Sequence, residues 1–264
     1  MSNRIDYLIQ PGGKLTGAVR VPGDKSISHR AIMLGALAEG TTHITGLLEG
    51  EDVLCTLGAF RAMGVLAKGP ESGRLTIQGV GLRGLRPPAQ PLNMGNSGTA
   101  MRLMTGILAG QAFDSTLVGD ASLSQRPMQR VAEPLARMGA RIETSAGGRP
   151  PLKIKGGQAL RGVDYPMPVA SAQVKSALLF AGLYATGETC VTEPLPSRDH
   201  TERMLQGFGY AVGVSGARRC VHGGRHLAAC DIDVPADISS ATFFMVGAAI
   251  TPDSDLTLEH VGIN

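Results

Sequence analysis

Four stretches of the chain are apolar on nearly every side of a helical wheel, and each opens with small polar residues. They are GDKSISHRAIMLGALAEG (23–40), GNSGTAMRLMTGILAG (95–110), ASAQVKSALLFAGLYATG (170–187) and ADISSATFFMVGAAI (236–250). A helix that is apolar all round is normally buried on every side, so the pattern predicts four inner helices. Their leading serines, Ser26, Ser97, Ser171 and Ser239, are spaced by 71, 74 and 68 residues. A period held this closely marks internal repeats. β-Branched runs follow each block (THITGL, DSTLVG, ETCVTE and LTLEHV) and predict a strand there. In the first three repeats a more polar helix comes next: EDVLCTLGAFRAMGVLA (51–67), RPMQRVAEPLARMGARIE (126–143) and RDHTERMLQGFGYAVG (198–213). Their closing glycines, Gly64, Gly139 and Gly209, fit left-handed helix ends.

The fourth repeat stops directly after its strand, at LEHVGIN. Its second helix and later strands are missing, which predicts a truncated chain; the alternative is an atypical terminal cap. The expected fold is α/β, with buried helices surrounded by sheets, and not a doubly wound parallel sheet. Residues 21–232 are expected to form one complete three-repeat domain. Residues 1–20, with the strand IDYLIQ, and residues 233–264 are expected to belong to a second, incomplete one.

Composition fits a globular chain. Of its 264 residues 43% are hydrophobic and 18% charged. Aromatics make up only 4% and tryptophan is absent, so Leu, Val, Ile, Met and Ala must build the core. A net charge of +3 gives no argument for nucleic acid. No apolar run is long enough for a membrane span, and the first residues lack the pattern of a targeting peptide, so a cytoplasmic protein is expected. Cys55 reads as core, and the four cysteines as thiols of a reducing compartment. Cys220 and Cys230 flank His222 and His226, but the spacing fits no common zinc pattern.

Candidate chemistry lies at the helix starts. The first repeat carries Lys25, Ser26 and Arg30; the second Asn96, Ser97, Gly98, Thr99 and Arg102; the third Ser171 and Gln173. Helix N-termini expose unpaired N–H groups and the positive end of the dipole, where small residues let an anion approach. Each serine taken alone is also a plain N-cap. Two cations at the mouth of an apolar helix are harder to explain without an anion to answer them. Arg126, fixed before Pro127, and the pair Ser197 and Arg198 precede the second helices of their repeats. No Walker sequence, dinucleotide fingerprint or G-x-S-x-G elbow is present.

The segments VPGDKSISHRA, NMGNSGTAMRL, GDASLSQRPM, ASAQVKSALL and VPADISSA, in that order, resemble 5-enolpyruvylshikimate-3-phosphate (EPSP) synthases along essentially the whole chain. The resemblance implies an inside-out α/β barrel-like domain of three repeats with buried helices, plus part of a second. It implies transfer of the enolpyruvyl group of phosphoenolpyruvate to the 5-hydroxyl of shikimate 3-phosphate, releasing phosphate. No metal or organic cofactor is required. The implied partners are the two substrates, with no nucleic acid or membrane, and a monomer when complete.

Carried over residue by residue, Lys25 resembles a lysine that touches both substrates and transfers a proton. Ser26, Arg30, Ser171, Ala172, Gln173, Ser197 and Arg198 match the shikimate 3-phosphate site. Asn96, Gly98, Arg126 and Gln173 match positions at phosphoenolpyruvate, where Gly98 leaves room for the competing inhibitor glyphosate. Leu103, Ala172 and Arg198 depart from the best-known bacterial pattern. The family's catalytic Asp and Glu lie in a part not present here, so the fragment alone is expected to be inactive. The sister transferase acting on UDP-N-acetylglucosamine is the nearest alternative. It usually carries a cysteine where this chain has Ala121. A non-catalytic anion-binding half-enzyme is the other alternative.

Overall fold

The computed structural model describes residues 7–8 and 12–263. The strand expected at 5–10 lies outside the described residues, apart from the exposed Tyr7 and Leu8. The chain divides into two compact units, one of Gly23–Val234 and one of the flanking segments up to Pro22 and from Pro235.

The flanking unit begins with β1 (Thr16–Val19). The larger unit runs α1 (Lys25–Leu37), β2 (Glu39–Thr45), α2 (Glu51–Ala62), β3 (Leu66–Glu71) and β4 (Arg74–Val80). The second repeat is β5 (Leu92–Asn93), α3 (Gly98–Ala109), β6 (Ser115–Val118), α4 (Gln129–Arg137), β7 (Arg141–Ser145) and β8 (Arg149–Lys155). The third is β9 (Asp164–Pro166), α5 (Ala172–Gly182), β10 (Glu188–Thr192), α6 (His200–Gly207), β11 (Gly213–Ser215) and β12 (Arg218–His222). Then come β13 (Ile232–Asp233), α7 (Ile238–Ile250) and β14 (Asp255–Leu258).

Each repeat of the larger unit builds one four-stranded sheet, in the orders β13-β2-β4-β3, β5-β6-β8-β7 and β9-β10-β12-β11. In each, a short strand pairs in parallel with the strand that follows the inner helix, and a hairpin adds two antiparallel strands. The first sheet takes its short parallel strand, β13, from the far end of the unit.

The inner helices α1, α3 and α5 are buried along most of their length, as their all-round apolar faces require. Small residues let them close up: a Cβ on Gly106 of α3 would come 2.1 Å from the Ala177 carbonyl oxygen of α5. Gly64, Gly139 and Gly209 adopt φ of +90°, +99° and +74°, the left-handed conformation that ends each outer helix. This is the inside-out α/β architecture, helices within and sheets without.

Three expectations change. The fourth apolar helix, α7, is not buried: among its residues only Ala241 is, while Phe243 is 82% and Ile250 75% exposed. One side of α7 packs on Leu15, Val21, Leu258 and Val261, and the rest is left open among the described residues. Cys190 and Cys220 are not separate thiols. They face each other across β10 and β12, where cross-strand neighbours meet, and are joined by a disulfide. Cys55 is half-buried rather than core. His222, His226, Cys220 and Cys230 form no metal-ligating group among the described residues.

Candidate functional site

Five helices of the larger unit bring their first turns to one pocket of about 240 Å³. Ser26 comes from α1, Thr99 from α3, Arg130 from α4, Ala172 and Gln173 from α5, and His200 from α6. Ser171, Arg30 and Arg198 complete the wall. The repeat explains the convergence, because equivalent helix starts face the same way in each repetition. Orphan N–H groups and the positive helix ends then favour an anion at their meeting point.

The side chains are held by one another. Arg30 is 2% exposed and donates from Nε to Thr201 Oγ1 at 2.6 Å, from Nη1 to the Ser26 carbonyl at 2.9 Å and from Nη2 to Ser176 Oγ at 2.8 Å. Burial pushes its pKa down to about 10, with Glu202 and Asp24 opposing and Arg198 adding to the fall. It stays charged, but much of its donor capacity is spent inside the protein. Gln173 accepts from Arg102 Nη1 at 2.7 Å and donates to Thr99 Oγ1 at 3.0 Å, joining α3 to α5. Burial, then Arg130 and Arg126, push Arg102 down to about 10. His200 is 5% exposed, and its Nε2 has no hydrogen-bond partner. Burial first, then Arg30, holds it below the usual histidine range.

The remaining residues singled out in the sequence lie around this pocket rather than in its wall. Arg126 donates to Asn96 Oδ1, and Asn96 donates to Asp120 Oδ2 at 2.6 Å. Gly98 sits against this group: a Cβ there would lie 3.0 Å from Arg102 Nη1 and 3.2 Å from Arg126 Nη1. Ser197 donates to Glu193 Oε1 and shares a neighbouring recess with Ala172 and Arg198. Lys25 is half-exposed and ion-paired with Asp52 at 3.2 Å.

Behind the helix starts, His29 joins α1, α2 and α3. Its Nδ1 lies 2.8 Å from Thr56 Oγ1 and its Nε2 3.2 Å from Ser97 Oγ. Burial above all, then Arg30 and Lys25, push its pKa down to about 3, so it is neutral.

Sequence reasoning noted Thr99 only as a helix-start residue and missed Arg130 and His200. Arg130 is a second basic residue only four positions after Arg126, at the start of the helix that follows Pro127, and that clustering of cations could have flagged it. No local signal marked His200, which reaches the wall only because α6 starts there.

The family profile described as EPSP synthase (3-phosphoshikimate 1-carboxyvinyltransferase) matches residues 9–264. A 3-phosphoshikimate 1-carboxyvinyltransferase of Alkalilimnicola ehrlichii is 66% identical over 260 residues, covering 98% of this chain and 58% of that protein. One from Methylococcus capsulatus is 67% identical over 254 residues, covering 96% and 58%. The solved EPSP synthase of Acinetobacter baumannii superposes with a TM-score of 0.91 at 61% identity, over 96% of this chain and 57% of that one. The chain thus spans a little under three fifths of the length of these relatives. With inner helices, outer sheets and matching sequence from residue 9 onward, the chain belongs to the EPSP synthase family.

Proposed function

We propose that this chain carries the shikimate 3-phosphate side of an enolpyruvyl transferase active site. The reaction adds the shikimate 5-hydroxyl oxygen to C2 of phosphoenolpyruvate while C3 takes a proton. The tetrahedral adduct then expels phosphate. The single observation that carries this reading is the pocket in which five helix starts meet Arg30, Arg198 and Arg130. Both substrates are polyanions, and fixed cations and N–H dipoles are what their approach requires.

In this reading Ser26, Ser171, Ala172, Gln173 and Arg198 hold the phosphate and ring hydroxyls, and Arg30 the carboxylate end. Ser197 supports the phosphate side from the recess it shares with Arg198. Asn96, Gly98 and Arg126 form the phosphoenolpyruvate side, linked through Arg102 to Gln173. Lys25 transfers the proton once ligands and the rest of the enzyme close over it. Residues 1–20 and 233–264 begin a second domain, and further repeats of that domain cover α7, whose apolar side chains stand in solvent here. The location is cytoplasmic, and the complete enzyme is a monomer.

The chain's length relative to its relatives favours a second reading, that the 264 residues alone bind without turnover. Calorimetric titration of the folded chain with shikimate 3-phosphate tests both. Binding that exceeds that of shikimate and of UDP-N-acetylglucosamine, and that falls in Arg198→Gln, is expected. Phosphate release on adding phosphoenolpyruvate would sink the second reading. No binding, either by this chain or by one extended past residue 264, would sink the first.

A further inference from the structure

Arg130 is the second residue of α4 and is exposed. Its Nη2 donates to Ser171 Oγ. That oxygen also accepts from the Val174 N–H at 3.4 Å and so caps α5. Arg130 and Ser171 stand together in the wall of the anion pocket, and also line an adjoining apolar hollow with Tyr165, Met167 and Val174.

An exposed helical arginine ordinarily pairs with a carboxylate a turn away. Arg137 on the same helix does so, with Glu133 at 2.9 Å. Arg130 has no carboxylate at ion-pair distance among the described residues. It stands instead near two further cations, Arg102 and Arg126. The first turn of α4 has no acidic residue, and Met128 supplies no side-chain cap. A cation is disfavoured at such a helix start unless an anion answers it. Arg126 is answered by Asp120, to which Asn96 links it, but Arg102 and Arg130 have no carboxylate at ion-pair distance among the described residues, and the pocket beside them is where an anion would sit.

We propose that Arg130 is a direct ligand of the phosphate group of shikimate 3-phosphate and sets the pocket's preference for the phosphate ester over the free hydroxyl. This rests on the reading of the pocket given above. The planar guanidinium offers a two-pronged donor set that matches a phosphate edge. On binding, the phosphate takes the place of Ser171 as the acceptor for Nη2 and leaves the serine hydroxyl capping α5.

The test is calorimetry on the 264-residue chain with shikimate 3-phosphate and with shikimate, in the parent and in Arg130→Gln and Arg130→Lys. The expected result is a loss of about tenfold or more in shikimate 3-phosphate affinity in R130Q, the scale of one charge-assisted hydrogen bond. Shikimate affinity should be unchanged, and R130K should recover part of the loss. Thermal melting of R130Q should match the parent, because the side chain is exposed. If the parent prefers the phosphate ester and R130Q keeps the same preference, this inference fails and the reading of the pocket stands. Equal losses for both ligands mean that Arg130 acts only by holding Ser171, which also overturns it. A parent with no preference between the two ligands overturns the inference and the reading together.

Discussion

Lys175 Nζ lies 2.6 Å from Glu193 Oε2, with neither side chain more than 3% exposed. Glu202 Oε1 stands on the other side of the ammonium at 2.7 Å, close enough for an ion pair though not aligned as a hydrogen bond. Lys175 is on α5, Glu202 on α6, and Glu193 follows β10. Glu193 also accepts from Ser197, and Thr201 beside Glu202 accepts from Arg30. One buried ammonium therefore braces two walls of the anion pocket.

Replacing Lys175 by Ala leaves buried Glu193 without a cation and Glu202 with only Arg219, at 3.9 Å. The expected loss is about 3–5 kcal/mol in urea unfolding, the usual cost of breaking a buried pair from one side. Adding Glu193→Gln and Glu202→Gln to that variant should recover a large part, because no buried charge is then left alone. A single variant as stable as the parent would contradict the arrangement.

His29 predicts an acid sensitivity. In the unfolded chain it titrates near 6.5, and in the fold at about 3. Between those values the unfolded state holds the extra proton. Stability therefore falls as pH is lowered through that window, by up to about 1.4 kcal/mol per unit. His200, also lowered by burial, acts in the same direction. Urea midpoints measured from about pH 7 down to about pH 5, above most carboxylate titration, should show a flatter slope in His29→Asn than in the parent.

Gly98 is the gap into which two guanidinium groups lean. An alanine there would force Arg102 and Arg126 to give by a few tenths of an ångström. The expected result is a change in the arginine Nε–H signals of those two residues by NMR, with Arg203 unaffected. Binding at the Arg126 side should weaken more than binding of shikimate 3-phosphate.

The Cys190–Cys220 bridge closes a loop with a sequence separation of 30. Loop-closure entropy of that size is worth about 3.6 kcal/mol. Thiol titration of the denatured, unreduced protein should find Cys55 and Cys230 free and the other two blocked. Cys190→Ser should lower the unfolding free energy by about that amount in oxidising buffer and by much less with reductant present.

Much of this fold could be read from residue pattern. The inner helices, the strands after them and the closing glycines each follow from local chemistry repeated at one period. The site was legible wherever a helix began with small polar residues, as at Ser26, Ser171 and Gln173. What escaped depends on contacts between distant segments. Lys175 looks like an intruder in an apolar helix until Glu193 and Glu202 are placed beside it. The cysteine pair was missed because its register is set by a hairpin, not by spacing. Arg30, read as a ligand, is equally a strut, since Ser26, Ser176 and Thr201 take three of its donors.

The larger unit completes its first sheet with a strand from its last residues, and a Cβ on Gly23 would come 3.2 Å from Val234 Cγ1. Its two ends leave side by side. The ring of repeats thus has no obligatory starting point. A gene opened at the exposed turn at Ala146 and rejoined between Val234 and Gly23 would encode the same ring by circular permutation. By the same geometry the unit can sit as an insertion within another polypeptide, interrupting it at a single place.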